Sequence, residues 1–346
     1  MTDIIYVEEQ VVDEPLTRQI CARFPRATRI ICSHYGAIFN RYGQNFRLQK
    51  QHPALILARK QRQLVMDAPP AYGLDGDHHY YFSPMLNCIY DCRYCFLQGM
   101  YRSAHQVIFV NHADFKTAIR DKVELHKGET CWFYSGYDCD SLAYDMVSGF
   151  VDGFVPLFRV LPQARLELRS KSTYIRSLLR QTPTDNVVVA FSFTPEAVSS
   201  ALEHGVPAVA KRLAAINKLQ VHGWKIGLRF DPLIYCQDYQ QQYRQLFQQI
   251  FTRLEPESLH SVSLGSFRLP QPFFDNMRRL YPDDTFLAGP LALRKQDGQR
   301  GMIAYREELE TEMIDFCAGE LLHYIPESIF YPCYDAAGKD AARVGC

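Results

Sequence analysis

Between residues 80 and 281, short apolar runs alternate with amphipathic helical segments six times. The runs are "YYFSPML", "TCWFYSG", "ARLELRS", "NVVVAFSF", "KIGLRFDPLI" and "LHSVSLGS". "NVVVAFSF" is almost continuously apolar, as expected of a strand buried on both faces of a parallel sheet. The segments between the runs read as helices. They run from roughly Asp114 to Leu125, from near Asp140, and through "TYIRSLLRQ", "PAVAKRLAAINKLQVHG", "DYQQQYRQLFQQIF" and "PQPFFDNMRRLY". In the fourth, Val209, Leu213, Ile216 and Leu219 share one face and Gly223 stops the helix. Serial alternation of this kind implies parallel strands joined by right-handed crossovers. Six units predict an α/β fold in the form of a partial (β/α)6 TIM-like barrel over residues 76–282. Residues 1–75 are expected to be an N-terminal extension packing on it, and 283–346 a C-terminal appendage. Chemistry in such folds gathers at the C-terminal ends of the strands. Ser135, Ser170, Lys171, Ser192, Arg229, Asp231, Ser266 and Arg268 fall there or just beyond.

The loop after the first run is "NCIYDCRYCFLQ", in which Cys88, Cys92 and Cys95 are spaced C-x₃-C-x₂-C. Three thiolates are odd for a disulfide framework and one short of a closed zinc site. A [4Fe–4S] cluster held by three cysteines keeps one iron open for a small molecule. The bland alternative is three unrelated buried or zinc-binding cysteines. The chain holds eleven cysteines in all, begins with an acidic segment without an export pattern, and has no long apolar run. That combination points to a cytoplasmic protein that does not enter a membrane. Cys21, Cys32, Cys131, Cys236 and Cys317 read as small apolar fillers, and Cys333 and Cys346 lack paired spacing. The histidines show no ligand spacing; His78 and His79 are adjacent and so point different ways.

The motif resembles that of the radical S-adenosylmethionine (SAM) enzymes, and nearly the whole chain is similar to the spore photoproduct lyase family. The likeness is carried by "CRYCFLQ", "LRSKSTYIRSLL", "VVAFSFTPEAV", "GWKIGLRFDPLIYCQDYQQQYRQLF" and "GSFRLPQPFFDNMRRLYP". It implies a radical SAM barrel, a [4Fe–4S] cluster on Cys88, Cys92 and Cys95, and SAM on the open iron. Tyr94 is then expected against the adenine, with Ser135, Lys171, Ser192 and Arg229 as further cofactor contacts. The family reaction repairs a thymine dimer formed by ultraviolet light in DNA. Reductive cleavage of SAM gives a 5′-deoxyadenosyl radical that opens the lesion, and a cysteine on the strand-two loop returns a hydrogen atom. A reducing partner such as flavodoxin or ferredoxin is implied. Acting on paired bases requires extrusion of the lesion.

The chain departs from the family in two places. With Asp140 and Asp145 as anchors, the donor-cysteine position falls on Tyr137, and Cys139 stands two residues later. The tyrosine of the family just after the cluster loop is replaced by Phe96. Tyr137 and Cys139 are therefore both candidate hydrogen donors, and on an extended segment they would face one side; the thiol chemistry that the resemblance implies favours Cys139. Formal net charge is zero, so contact with DNA must be local. Residues 46–63 hold Arg47, Lys50, His52, Arg59, Lys60 and Arg62 with no acidic residue. "LRKQDGQRG" and Arg278–Arg279 add to this, although a merely solvated polar surface explains the same residues. Three functions remain open: repair of the family lesion, a radical SAM reaction on another substrate, and a non-catalytic iron–sulfur DNA-binding protein.

Overall fold

The computed structural model describes residues 2–69, 74–294 and 301–333. The six expected barrel strands form a series in sequence order: His78–Tyr81, Cys131–Tyr134, Ala164–Ser170, Val187–Ser192, Lys225–Leu233 and Leu259–Ser266. Each is parallel to its neighbour. A seventh parallel strand, Phe330–Pro332, adds to the far edge, and Met66–Asp67 pairs antiparallel at the near edge. The sheet curls into an open half-barrel, the fold expected for a radical SAM enzyme. The seventh strand comes from the C-terminal segment, which therefore does more than append. Its helix Glu307–Leu322 packs on helix Tyr239–Phe251, where Tyr239 donates to Glu312 at 2.7 Å.

Period-two alternation decides which side chains enter the barrel. Leu166 and Leu168 face the helices and join the main core, as do Val187, Val189, Phe191, Ile226, Leu228 and Phe230. The opposite set, Glu167, Arg169, Ser192, Arg229, Asp231 and Ser261, makes the interior polar. At its centre Glu167 accepts from Arg229 at 2.7 Å and from Arg169 at 2.8 Å. Burial pushes the Glu167 carboxyl up, but the two guanidinium groups outweigh it and hold it at about 2.

Three sequence expectations need correction. "YYFSPML" is not one strand. The barrel strand ends at Tyr81, and Met85–Leu86 joins a different sheet, antiparallel to Gln106–Phe109. Pro84, which has no N–H to continue a ladder, lies at the crossing. The helix expected near Asp140 starts later, as Asp145–Ser148 and then Phe150–Arg159. Gly149, at φ +63°, separates the two. Ahead of the first, Asp140 accepts from the N–H groups of Leu142 and Ala143 at 2.9 and 2.8 Å, forming a turn that leads into the helix.

The N-terminal residues are also more than a covering layer. Strands Ile4–Glu8, Thr28–Cys32 and Leu55–Ala58 build a five-stranded sheet with Gln106–Phe109 and Met85–Leu86. That sheet crosses residue 75 and places its own apolar core beside the barrel. Both strands flanking the three-cysteine loop therefore belong to this second sheet.

Glu167→Gln leaves Arg229 without a counter-charge, and a loss of about 3–5 kcal/mol in unfolding free energy is expected from urea titration. In the unmodified chain the Glu167 contribution is present above its unfolded value of 4.5 and is lost as pH falls toward about 2. The Gln variant should lack that part of the acid response.

Candidate functional site

The three-cysteine loop is fixed at both ends and in the middle. Asn87, at φ +72°, donates through Nδ2 to the Ser103 carbonyl at 2.7 Å and through its N–H to the Asp138 carbonyl at 2.9 Å. Lys50, from helix Phe46–Gln51, reaches the carbonyls of Tyr90 and Cys88 at 3.0 and 3.4 Å. Asp91–Cys92 forms an antiparallel pair with Glu203–His204. A one-turn helix, Leu97–Met100, follows Cys95. It lies so close to helix Gln271–Leu280 that a Cβ on Gly99 would sit 2.1 Å from the Phe273 carbonyl oxygen.

Burial pushes all three thiols up, Cys88 to about 12, and the Asp140 charge adds to the rise at Cys88. Lys171 pulls Cys92 and Cys95 back toward the thiolate. Among the described residues the three sulfurs are not a group within 4.8 Å of one another. A single tetrahedral zinc would need them about 3.8 Å apart, given Zn–S bonds near 2.3 Å. Three thiolates on one short loop would instead suit a polynuclear iron–sulfur cluster, whose charge would stabilise their thiolate form.

Beside the loop stands a buried polar wall. Glu203 accepts from Tyr94 through its hydroxyl, from Ser199 at 2.7 Å, from Arg212 at 2.8 Å and from Thr194 at 3.1 Å. The Lys171 ammonium is 4.0 Å from the same carboxylate and 5.5 Å from the Tyr94 ring centre. Burial opposes charge on both partners. At Glu203, Lys171 and Arg212 overcome it and the carboxyl is held low. At Lys171, Glu203 and Cys92 overcome it and the ammonium is held up. Asp140 ties the wall to the strand-two loop by accepting from Ser170 Oγ and the Lys171 N–H, both at 2.7 Å.

The other expected residues are placed as follows. Ser135 is buried, its hydroxyl shared between Ser141 at 2.9 Å and the Glu167 carbonyl at 3.0 Å. Ser192 ends its strand, and its carbonyl accepts from Arg212 at 2.8 Å. Arg229 sits lower, inside the barrel. It is fully buried, and its donors are committed to Glu167, Ser261 and the Leu228 carbonyl. That engagement places it with the structural interior rather than on the wall. Tyr137 and Cys139 do not face one side. The Tyr137 ring lies 4.4 Å from Tyr81 and 5.5 Å from Phe96, centre to centre. Cys139 is buried against the N-terminal core and lines a small cavity with Cys88, and its thiol donates to the Ser135 carbonyl at 3.5 Å. The segment is curled by the Asp140 turn, so the extended-strand expectation fails.

The basic stretch is broken up by burial. Lys50 serves the cysteine loop, Arg59 pairs with Asp114, and Lys60 lies over the Phe109 and Phe115 rings. Arg47, His52 and Arg62 are exposed. Most of "LRKQDGQRG" and Cys346 lie outside the described residues.

Glu203, Arg212 and Lys50 were missed by sequence reasoning. Arg212 carried a readable signal, since it stands three residues after Val209 on the helix's apolar face. Glu203 carried none, because its role depends on pairing with Cys92, 111 residues earlier.

A sequence model described as spore photoproduct lyase matches residues 1–331. No curated protein matches. Among solved structures, a spore photoproduct lyase complexed with dinucleoside spore photoproduct superposes with a TM-score of 0.82 at 18% identity, covering 96% of this chain and 98% of that one. A double mutant of spore photoproduct lyase with bound AdoMet and the same dinucleoside gives 0.83 at 19%, with the same coverage.

Gly99→Ala drives a methyl group into backbone that cannot rotate away. It is expected to lower stability by about 1–3 kcal/mol or more. The urea midpoint should fall, and iron bound after anaerobic reconstitution should fall with it.

Proposed function

The chain belongs to the spore photoproduct lyase family, and from that premise we propose that it is a radical SAM lyase that repairs an ultraviolet-induced thymine dimer lesion in DNA. The observation that carries this reading is the pairing of Cys92 with Glu203, which sets the three-thiol loop directly against the Tyr94–Lys171 wall. When bound, the cluster and SAM supply the reductive cleavage that yields a 5′-deoxyadenosyl radical. Cys88, Cys92 and Cys95 would hold the cluster. Tyr94 would present its ring to the adenine, in an orientation set by its hydroxyl on Glu203. Lys171 would offer its ammonium to the SAM carboxylate or a ribose hydroxyl, and Ser192 and Ser135 complete that end of the barrel. Arg229 acts through Glu167, as a positioning residue.

Tyr137 and Cys139 are the two candidates for hydrogen return. Both lie near the cluster loop, Cys139 sharing a small cavity with Cys88 and Tyr137 packing on Phe96, which directly follows the last cluster cysteine; Tyr137 is taken as the donor because its ring is only half-buried while Cys139 is buried. A phenol O–H that gives its hydrogen atom to a carbon radical leaves a phenoxyl radical, and the neighbouring Tyr81 ring lies against it. Exposed Arg47 and Arg62, with segment 283–346, would meet the DNA backbone. A flavodoxin- or ferredoxin-type donor in the cytoplasm would supply the electron. No helix among the described residues is long and apolar enough to cross a membrane. Repair of another nucleic-acid lesion on the same scaffold is the second reading, favoured by Phe96 and Tyr137. A non-catalytic role leaves the Tyr94–Lys171–Glu203 wall without a purpose.

The test is anaerobic reconstitution followed by reduction with SAM, with and without irradiated DNA. Recovery of thymine from the lesion is expected. Release of 5′-deoxyadenosine with no lesion consumed would transfer the enzyme to the second reading. Cys92→Ala should abolish 5′-deoxyadenosine release. Glu203→Gln should weaken SAM binding at least about tenfold at unchanged iron content, a loss of about 1.4 kcal/mol in a site that keeps its cluster ligands.

Tyr137→Phe should leave SAM cleavage intact while lesion-derived adducts replace clean repair. Cys139→Ala should repair normally. Clean repair by Tyr137→Phe together with adduct formation by Cys139→Ala would reverse the assignment.

A further inference from the structure

We propose that His78, His126 and Glu129 bind one divalent transition-metal ion of the zinc type, at the end of the half-barrel opposite the cysteine loop. His78 opens the first barrel strand, and His126 caps the C-terminus of helix His112–Leu125. Glu129 follows in a tight turn, its N–H donating to the His126 carbonyl at 3.1 Å. One donor atom from each of the three residues falls within 4.8 Å of the others. The two imidazole rings stack, with centres 3.5 Å apart and planes 21° apart. His78 Nε2 and His126 Nδ1 both approach the same Glu129 oxygen, His126 to 3.8 Å.

Three features go beyond an ordinary ion pair. The donors are two imidazoles and a carboxylate, a set that suits zinc and leaves a fourth tetrahedral position for water. The remaining nitrogen of His126, Nε2, is 2.7 Å from the Tyr80 hydroxyl. A hydrogen-bond partner on the far nitrogen is the usual device that orients a metal-bound histidine. All three ligands sit on a strand or on a closed turn, so little has to be ordered on binding. The nearby cations are otherwise engaged. Lys122 lies 3.6 Å from Asp67 and over the Tyr80 ring, and Lys127 pairs with Glu124. Adjacent His78 and His79 carry no ligand spacing in the sequence, because the site is assembled from two elements. His79 points into the barrel and bonds Tyr134 at 3.0 Å.

An ion held there joins the first barrel strand to the helix that follows the cysteine loop. Its coordination involves no redox step and no group of the cofactor wall. The site is therefore independent of the proposed repair function.

The experiment uses cluster-loaded protein, treated briefly with chelator under anaerobic conditions and then dialysed against zinc chloride. Zinc and iron are both counted per chain. One zinc above the Glu129→Gln background is expected, with at least about tenfold weaker retention in Glu129→Gln and in His126→Ala. Zinc should raise the melting temperature of the wild-type chain and leave that of Glu129→Gln unchanged. Glu129 is exposed, so its substitution does not threaten folding, and iron content should not change. Equal zinc retention by wild type and Glu129→Gln, or no zinc-dependent shift in the wild-type melting temperature, would overturn the proposal and leave a plain His–Glu ion pair.

Discussion

One buried carboxylate organises the functional end of this molecule. Glu203 is removed from water and still held ionised, because Arg212 and Lys171 supply two positive charges and Tyr94, Thr194 and Ser199 supply hydrogen bonds. A carboxylate so placed costs several kcal/mol to desolvate and repays it only with that complete set of partners. The consequence is positional. Four different segments, bearing Tyr94, Lys171, Thr194 with Ser199, and Arg212, must each end at one point. The backbone of Glu203 is in turn paired with Cys92. The cysteine loop and the cofactor wall are thus parts of one network.

The second sheet makes that network rigid. The loop leaves from Met85–Leu86 and returns toward Gln106–Phe109, two strands of the N-terminal sheet. Lys50, from the same N-terminal region, draws in the loop's carbonyl groups. The loop is anchored on both sides, which suits thiols that must keep three fixed positions around a cluster. The polar interior beneath, centred on Glu167 and Arg229, supports the wall from below without reaching it.

Tyr137 and Cys139 illustrate how a two-residue difference can separate two roles. The Asp140 turn sends the phenol toward Tyr81 and Phe96 and the thiol toward Cys88 and the N-terminal core. Phe96 brings no hydroxyl to this group. The aromatic cluster therefore holds two phenols, Tyr81 and Tyr137, beside the last cysteine of the loop.

The sequence alone determined the serial strands, their order, the open barrel and the three cysteines. Those features depend on local periodicity and on short spacings, which a linear chain displays directly. It also placed Lys171 and Ser192 at the C-terminal ends of their strands, because a strand's C-terminus is itself a local property. It did not determine that "YYFSPML" divides between two sheets, since both halves are equally apolar and only their pairing differs. It did not determine that Tyr137 and Cys139 point apart, because a side chain's direction in a loop depends on the turn that Asp140 closes with strand Ala164–Ser170. Arg229 looked available from its strand-end position, yet the partner that engages it, Glu167, lies 62 residues away. Glu203 and the His78–His126–Glu129 group were invisible for the same reason. Their meaning lies in charges and donors brought together across the fold, and Coulomb and hydrogen-bond energies depend on distance in space, which sequence separation does not report.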